Sequence, residues 1–334
     1  MPHQVYSMAI RDARIITFAA ENLRSLVWDC DELVDWAGGG VRFTLDGQKT
    51  SLSRRYAYGF DSAVADEGDA VIFTRSETKG LVLRNGEILR EIDRSFYCAN
   101  AFDYPIALFR LGNGRRVLAH CPRETGRLDI EDFATGELLT ASASRTPQDN
   151  FHGRLIASPD GRYLLSAGWA WQPYDDLLIF DVEHALTDPS HLDSAGILPA
   201  LWSEMGASAA FAADSRLIVG INIDGEDRGS EGHTCLHVFD LDTRSAIAAI
   251  PSKGPLGRLM AVGNAHVLNL YSHPQLLDLR TGELVRAWPD IACDSQISAT
   301  RAKDMPFAHV AIDVENMRCA IGFGDRITIM QFEA

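Results

Sequence analysis

The side chains whose type and spacing best suit recognition or chemistry cluster in Gly168-Trp169-Ala170-Trp171-Gln172-Pro173-Tyr174-Asp175-Asp176. Two tryptophans and a tyrosine around a proline offer large, rigid contact area, the composition of a binding hot spot. The same rings could equally pack on neighbouring elements, because tryptophan is usually well buried. Trp36 stands in a second segment of this kind, Asp29–Gly40. Carboxylates surround both segments: Asp29, Asp31, Glu32, Asp35, Asp175, Asp176, Asp224, Glu226, Asp227 and Glu231, against Arg75, Lys79, Arg123 and Arg228. Aromatic rings in a negative field suit a basic protein surface, through cation–π contacts and electrostatic steering. A merely solvated acidic rim is the competing interpretation.

Metal and catalytic chemistry find less support. Asp224–Gly232 is acidic and glycine-rich, but it lacks the alternating oxygen ligands and closing Glu of a calcium loop and reads as a mobile acidic stretch. His233, Cys235 and His237 alternate and so share one face of a strand. One strand cannot enclose a zinc ion, and no fourth ligand stands at readable spacing. No Gly-x-Ser-x-Gly elbow, His-Glu-x-x-His pair or Gly-x-x-x-x-Gly-Lys loop occurs. No catalytic residue, cofactor or metal ligand is assigned on these grounds.

The elements that must hold these residues are short strands, organised by two interleaved turn marks. The first mark is an Asp/Asn/Gly turn after a short apolar run: Glu21-Asn22, Glu67-Gly68, Gly112-Asn113-Gly114, Pro159-Asp160-Gly161, Asp214-Ser215, Gly263-Asn264 and Glu315-Asn316. Counted from Asn22, Glu67, Asn113, Asp160, Asp214, Asn264 and Asn316, the spacings are 45, 46, 47, 54, 50 and 52 residues. The second mark is a polar corner after a β-run, as at Leu45-Asp46-Gly47, Asn85-Gly86-Glu87, Thr135-Gly136-Glu137, Glu183-His184, Asp242-Thr243-Arg244 and Thr281-Gly282-Glu283, with the chain end Phe332-Glu333-Ala334 as the seventh. A period near 50 residues with β signals inside each unit predicts an all-β chain, a seven-bladed β-propeller of four-stranded antiparallel blades. All 334 residues then form one domain.

Blade four is the clearest, with strands at Arg154–Ala157, Tyr163–Ala167 and Leu177–Asp181 around the turn Ser158-Pro159-Asp160-Gly161. In blade one, Glu21-Asn22-Leu23-Arg24 nearly duplicates Glu315-Asn316-Met317-Arg318 and is taken as the first turn, which places Trp28-Asp29 in the second strand. Residues 4–10 are then left over at the front while blade seven lacks an outer strand. They are expected to supply it, so that an N-terminal strand closes the last blade and no edge is exposed.

The Ser-Pro-Asp-Gly-Arg turn at Ser158–Arg162 and the Asp-x-x-Thr-Gly-Glu corner at Asp278–Glu283 resemble those of WD40 and YVTN-like propellers, and the likeness covers essentially the whole chain. The repeated Gly-His and Trp-Asp signatures are missing, and Phe-Asp (Phe180-Asp181, Phe239-Asp240) is the more usual strand ending. In a four-stranded blade the second-to-third strand loops and the blade-to-blade connections share one face, and here that face carries the long loops Asp29–Gly40, Arg75–Gly80, Pro122–Gly126, Gly168–Asp176, Asp224–Gly232 and Tyr271–Pro274. Some YVTN-like propellers resemble lactonases, whose sites line the central channel. On that analogy the inner-strand candidates are Asp61, Arg110, His152, Arg154, Arg258 and His309.

A net charge of −15 argues against a nucleic-acid backbone as partner and favours a cationic one. The six cysteines form no C-x-x-C pair or disulfide framework, no stretch approaches 18 apolar residues, and the first ten carry no signal-peptide pattern. A cytoplasmic monomer with no membrane or nucleic-acid contact is expected. Its expected function is non-enzymatic binding of another protein, with a basic surface, through Trp36, Trp169, Trp171, Tyr174, Asp175, Asp176, Asp224, Glu226 and Asp227. An immunity protein that caps a basic toxin is one role this would suit. The alternatives are a channel-type hydrolase or lactonase on the axis and a multi-partner assembly scaffold.

Overall fold

A computed structural model describes residues 12–170, 174–198, 201–203, 206–223, 233–300 and 305–333. The strands form seven antiparallel sheets arranged as the blades of a propeller. Blade two is regular, with strands Ser62–Asp66, Asp69–Phe73, Lys79–Arg84 and Glu87–Asp93. Blade five (Ala207–Phe211, Arg216–Ile223, His233–Asp240, Ser245–Ser252) and blade six (Leu259–Val262, His266–Asn269, Gln275–Asp278, Leu284–Ala287) repeat it. In blade three, after Ile106–Arg110, Arg116–His120 and Asp129–Asp132, the fourth strand shrinks to a bridge between Glu131 and Leu138. Blade four breaks its inner strand into Asn150–Phe151 and Leu155–Ala157, both paired to Tyr163–Ala170, which in turn pairs Tyr174–Asp181. A short helix, Val182–Thr187, then precedes its outer strand Leu201–Ser203.

The turn marks act through side-chain caps. Ser158 Oγ donates to Asp160 (2.6 Å) and accepts from the Tyr163 amide (2.9 Å), while Gly161 takes φ +69°. At the polar corner of blade six, the Asp278 carboxylate accepts from the amides of Arg280 and Thr281, and Gly282 adopts φ +72°. Side-chain carboxylates that accept backbone N–H groups mimic a turn's own hydrogen bond, which explains why Asp and Gly recur at fixed positions.

The core lies between blades. In Tyr163–Ala170, Leu164 packs toward blade three with Phe109 and Val117, whereas its neighbour Leu165 packs toward blade five with Leu217 and Val219. Alternation along a strand thus serves two interfaces at once. Each such leucine, fully buried, stabilises the fold by roughly 1.5–3 kcal/mol.

An N-terminal strand does close the last blade, and it is Ala13–Ala19, paired along its length with Arg326–Phe332. It takes the outer place beside His309–Asp313, Arg318–Phe323 and Arg326–Phe332. Residues 4–10, given that place from the sequence, lie outside the described residues. The register of blade one also differs from expectation. Its strands are Val27–Asp29, Glu32–Asp35, Val41–Phe43 and Lys49–Ser51, so Trp28-Asp29 is in the inner strand and the first turn is Cys30-Asp31. Glu21-Asn22 instead links the closing strand to blade one. The left-handed residue common to both turns (Asn22, φ 57°; Met317, φ 47°) marks local turn chemistry and carries no information on place within a blade.

Candidate functional site

The second-to-third strand loops and the blade-to-blade connections share one end of the ring, and the described parts of the connection from blade six to blade seven, residues 288–300 and 305–308, dominate it. Asp294 ties this strap to a loop of blade six and to the strap's own far end. Its carbonyl accepts from the Ser272 amide (2.8 Å) and its carboxylate from the Ala308 amide (3.1 Å). In between, the Ile297 carbonyl lies against Gly206 at the entrance to blade five, where φ is +115° and a Cβ would stand 2.5 Å from its oxygen. Ser298 Oγ and the Ala299 amide donate to Asp175 of blade four (2.7 and 2.9 Å), and Thr300 bridges Phe102 before blade three. Phe307 then lies under Arg75 of blade two, with the guanidinium 2.9 Å from its ring centre. The strap therefore touches five other parts of the ring before returning to blade seven.

Inner strands surround an axial cavity of about 580 Å³. Its middle is apolar, with Val64, Leu108, Ala209, Met260 and Ala311 in the wall. The loop-side end is polar, where Arg75, Arg154, Arg258, His309, Asp103 and Asp294 converge. Burial, with the Arg75 and Arg258 guanidiniums in support, pulls the His309 imidazole down to about 4. Asp175 and Asp61 are already engaged by other groups. Asp175 accepts three donors, from Ala207, Ser298 and Ala299, with Arg154 at 3.7 Å. Asp61 accepts the Arg75 amide (2.9 Å) and lies 3.8 Å from its Nε.

Of the inner-strand residues picked from the sequence, Arg154, Arg258 and His309 meet at this end of the axis. Arg110 does not. It sits at the opposite end, paired with Asp66 (2.8 Å) and Glu67 beside the first turn of blade two. His152 is enclosed within blade four, its Nδ1 2.9 Å from Ser166 Oγ. Burial holds its imidazole down to about 4, and the cavity beside it is only about 10 Å³. That is room for one water at most, so this Ser–His pair admits no substrate.

The proposed partner-binding residues fare unevenly. Trp36 does lie in the second-to-third loop of blade one but is fully buried, with the Arg42 guanidinium 5.5 Å from its ring. Its apolar bulk completes the core between blades one and two with Phe60 and Ile72. Asp175 and Asp176 are buried as well, because the Trp169–Asp175 pair continues the blade-four hairpin far beyond the expected strand ends. Asp175 is the anchor of the strap. Asp176 accepts from Asn150 Nδ2 (3.2 Å), and burial raises its carboxyl to about 6. Neither is available as a steering charge. Trp169 and Tyr174 are half-buried at the hairpin tip, while Trp171, Asp224, Glu226 and Asp227 lie outside the described residues.

The exposed aromatics are elsewhere on the same end. In the connection from blade two to blade three, Phe96 is 86% exposed and Tyr97 52%. Tyr97 stacks on Phe151 (6.0 Å), which packs against Trp169 (4.7 Å) and Phe102 (5.4 Å). Arg94 shapes this connection from beneath, donating to the carbonyls of Glu77, Arg75, Ala99 and Phe102. Its burial pulls the guanidinium down to about 10. Nothing in the repeat marks Phe96 or Arg94. The length of the 288–308 connection, by contrast, was a readable sign of a special element.

No family model matches this chain, and no curated protein matches it in sequence. Solved structures share its shape. A chain of a mitotic checkpoint complex is similar over 99% of this chain and 95% of its own, with TM-score 0.60 and 9% identity. A streptogramin B lyase is similar over 98% and 100%, with TM-score 0.59 and 8% identity. The hydrazine synthase of Kuenenia stuttgartiensis is similar over 93% and 97%, with TM-score 0.57 and 10% identity. At such identities the likeness shows the propeller fold alone.

Proposed function

We propose that this propeller is a binding protein that takes a protein partner on its loop-side end, with Phe96 and Tyr97 as anchors. The observation that carries this reading is Phe96, almost wholly exposed at 86% on a connection that Arg94 and the Phe151 stack hold rigid. A large aromatic ring left in water on a rigid base is costly to leave uncovered and loses little entropy on docking. The net charge of −15 supports a partner with a basic surface, since complementary charge speeds encounter. An immunity protein that neutralises a basic toxin would use such a face, acting as a cytoplasmic monomer.

The test is affinity capture from the native cell extract with the wild-type chain beside a Phe96→Ser/Tyr97→Ser variant of matched melting temperature. One dominant basic protein should be retained by the wild type alone. With that protein purified, the double substitution should weaken binding by about 2–4 kcal/mol, the range of aromatic hot spots. A partner held equally by the variant would move the site off this connection. Capture of no partner would overturn the reading.

A further inference from the structure

The loop-side end of the axial cavity holds more hydrogen-bond donors than the protein uses. Arg258 lines the cavity, yet its guanidinium makes no hydrogen bond or ion pair among the described residues, and its neighbour is the Phe307 ring at 5.8 Å. Arg154 donates from Nη2 to the Ala207 carbonyl (2.8 Å), but its buried Nε has no hydrogen-bond partner among the described residues. A guanidinium carries five N–H donors and no acceptor, and each buried donor left unmet costs about 1–3 kcal/mol. Asp175 lies 3.7 Å from Arg154 Nη2, but among the described residues no carboxylate pairs with Arg258. Asp294 is spent on the amides of Gln296 and Ala308, and Asp175 on the strap and Ala207. What faces the cavity from this end is therefore donor-rich. Directly below it the wall turns apolar for the length of the inner strands, through Val64, Ala209 and Met260. A volume of about 580 Å³ lies within the range of small-molecule sites.

We propose that this cavity binds a small anionic amphiphile, with its acidic head on Arg258 and Arg154 beneath the strap and its apolar body along the axis. The head is a carboxylate or a phosphate ester. Both present the acceptor oxygens that a guanidinium grips in pairs. The site needs no chemistry from the protein and is distinct from the Phe96 ledge, so the two readings stand or fall separately.

Calorimetric titration of the full chain tests it, using octanoate and octyl phosphate as probes, with octan-1-ol and acetate as controls lacking head or tail. At least one anionic probe should saturate one site, and each control should bind at least about tenfold more weakly, a difference near 1.4 kcal/mol. Whichever anion binds tighter identifies the head. Arg258→Gln should weaken that probe by about tenfold or more while leaving the unliganded melting temperature unchanged. A second readout uses the wild type alone. Saturation with the anion should raise the imidazole pKa of His309, followed by NMR, because a negative head would offset the Arg75 and Arg258 charges acting on it. Absence of saturable anion binding would overturn the proposal. So would equal binding of the alcohol or acetate, or a His309 titration untouched by bound probe.

Discussion

Asp175 of blade four accepts hydrogen bonds from both the Ser298 hydroxyl (2.7 Å) and the Ala299 amide (2.9 Å), and so pins the blade-six-to-seven strap to the far side of the ring. The same carboxylate caps the Ala207 amide at the start of blade five and faces Arg154 at 3.7 Å. One buried side chain thus joins the strap, two blades and the axial Arg154.

Removing that carboxylate should loosen the strap before it unfolds the ring. Asp175→Ala leaves the two strap donors and Arg154 without their acceptor, and is expected to cost about 2–4 kcal/mol. Hydrogen exchange should quicken at Ala299 and Ala207 and stay unchanged in the Leu217–Val219 core. Equal exchange at Ala299 in variant and wild type would show that Asp175 does not hold the strap.

Ring closure should depend on Ala13–Ala19. A chain beginning at Asp12 keeps every pair with Arg326–Phe332, whereas one beginning at Leu23 loses them and bares a strand edge. The first should melt like the whole protein. The second should melt lower and self-associate in sedimentation. Arg318 supports the same seam, spanning Asp313 (2.7 Å), the Cys30 carbonyl (2.7 Å) and the Trp28 ring (4.1 Å). Arg318→Ala should cost about 2–3 kcal/mol in denaturant titration, mostly through the buried bonds and little through the exposed Asp31.

Two glycines of similar backbone angle separate conformational strain from collision. Gly114 (φ +80°) has open space around it, whereas a Cβ on Gly161 (φ +69°) would run into the carbonyl oxygen of Arg110. Gly114→Ala should cost about 1–2 kcal/mol, the left-handed penalty alone. Gly161→Ala adds overpacking of about 1–3 kcal/mol between blades three and four. Indistinguishable denaturation midpoints for the two variants would contradict the close approach.

Acid should expose opposing buried groups. His152 and His309, each held down to about 4 from an ordinary 6.5, give stability that is present above pH 6.5 and lost as pH falls toward 4. Asp176, raised from 3.8 to about 6, works in the other direction. Its stabilisation is present below 3.8 and lost as pH rises through 6, where the buried carboxylate must ionise. Asp176→Asn should therefore raise stability near pH 8 by roughly 3 kcal/mol, at about 1.4 kcal/mol per unit. It should also steepen the acid-side decline between pH 6 and 4. Parallel melting-temperature curves against pH would rule this assignment out.

The repeat was legible because each blade needs the same local devices. Asp278 and Gly282 form a corner from contacts within five residues, so their spacing survives in the sequence as a period. The same locality misled the reading of blade one, where Asn22 and Met317 share a turn conformation at different places in the ring. Trp36 and Asp176 were read as surface groups for a related reason. Residue type and a loop-like context cannot show that the ring brings a neighbouring blade or hairpin strand over them.

By itself the sequence determined the propeller, its seven units, the strand closure by an N-terminal segment, and an end rich in loops, all consequences of short-range turn chemistry and strand alternation. Only the tertiary structure decided which side chains meet at that end. Arg75, Arg154 and Arg258 come from blades two, four and six, Phe307 from the strap, and that strap is anchored more than a hundred residues away at Asp175. Closing the ring converts such distant positions into neighbours around one axis, and no local pattern in the chain encodes the meeting.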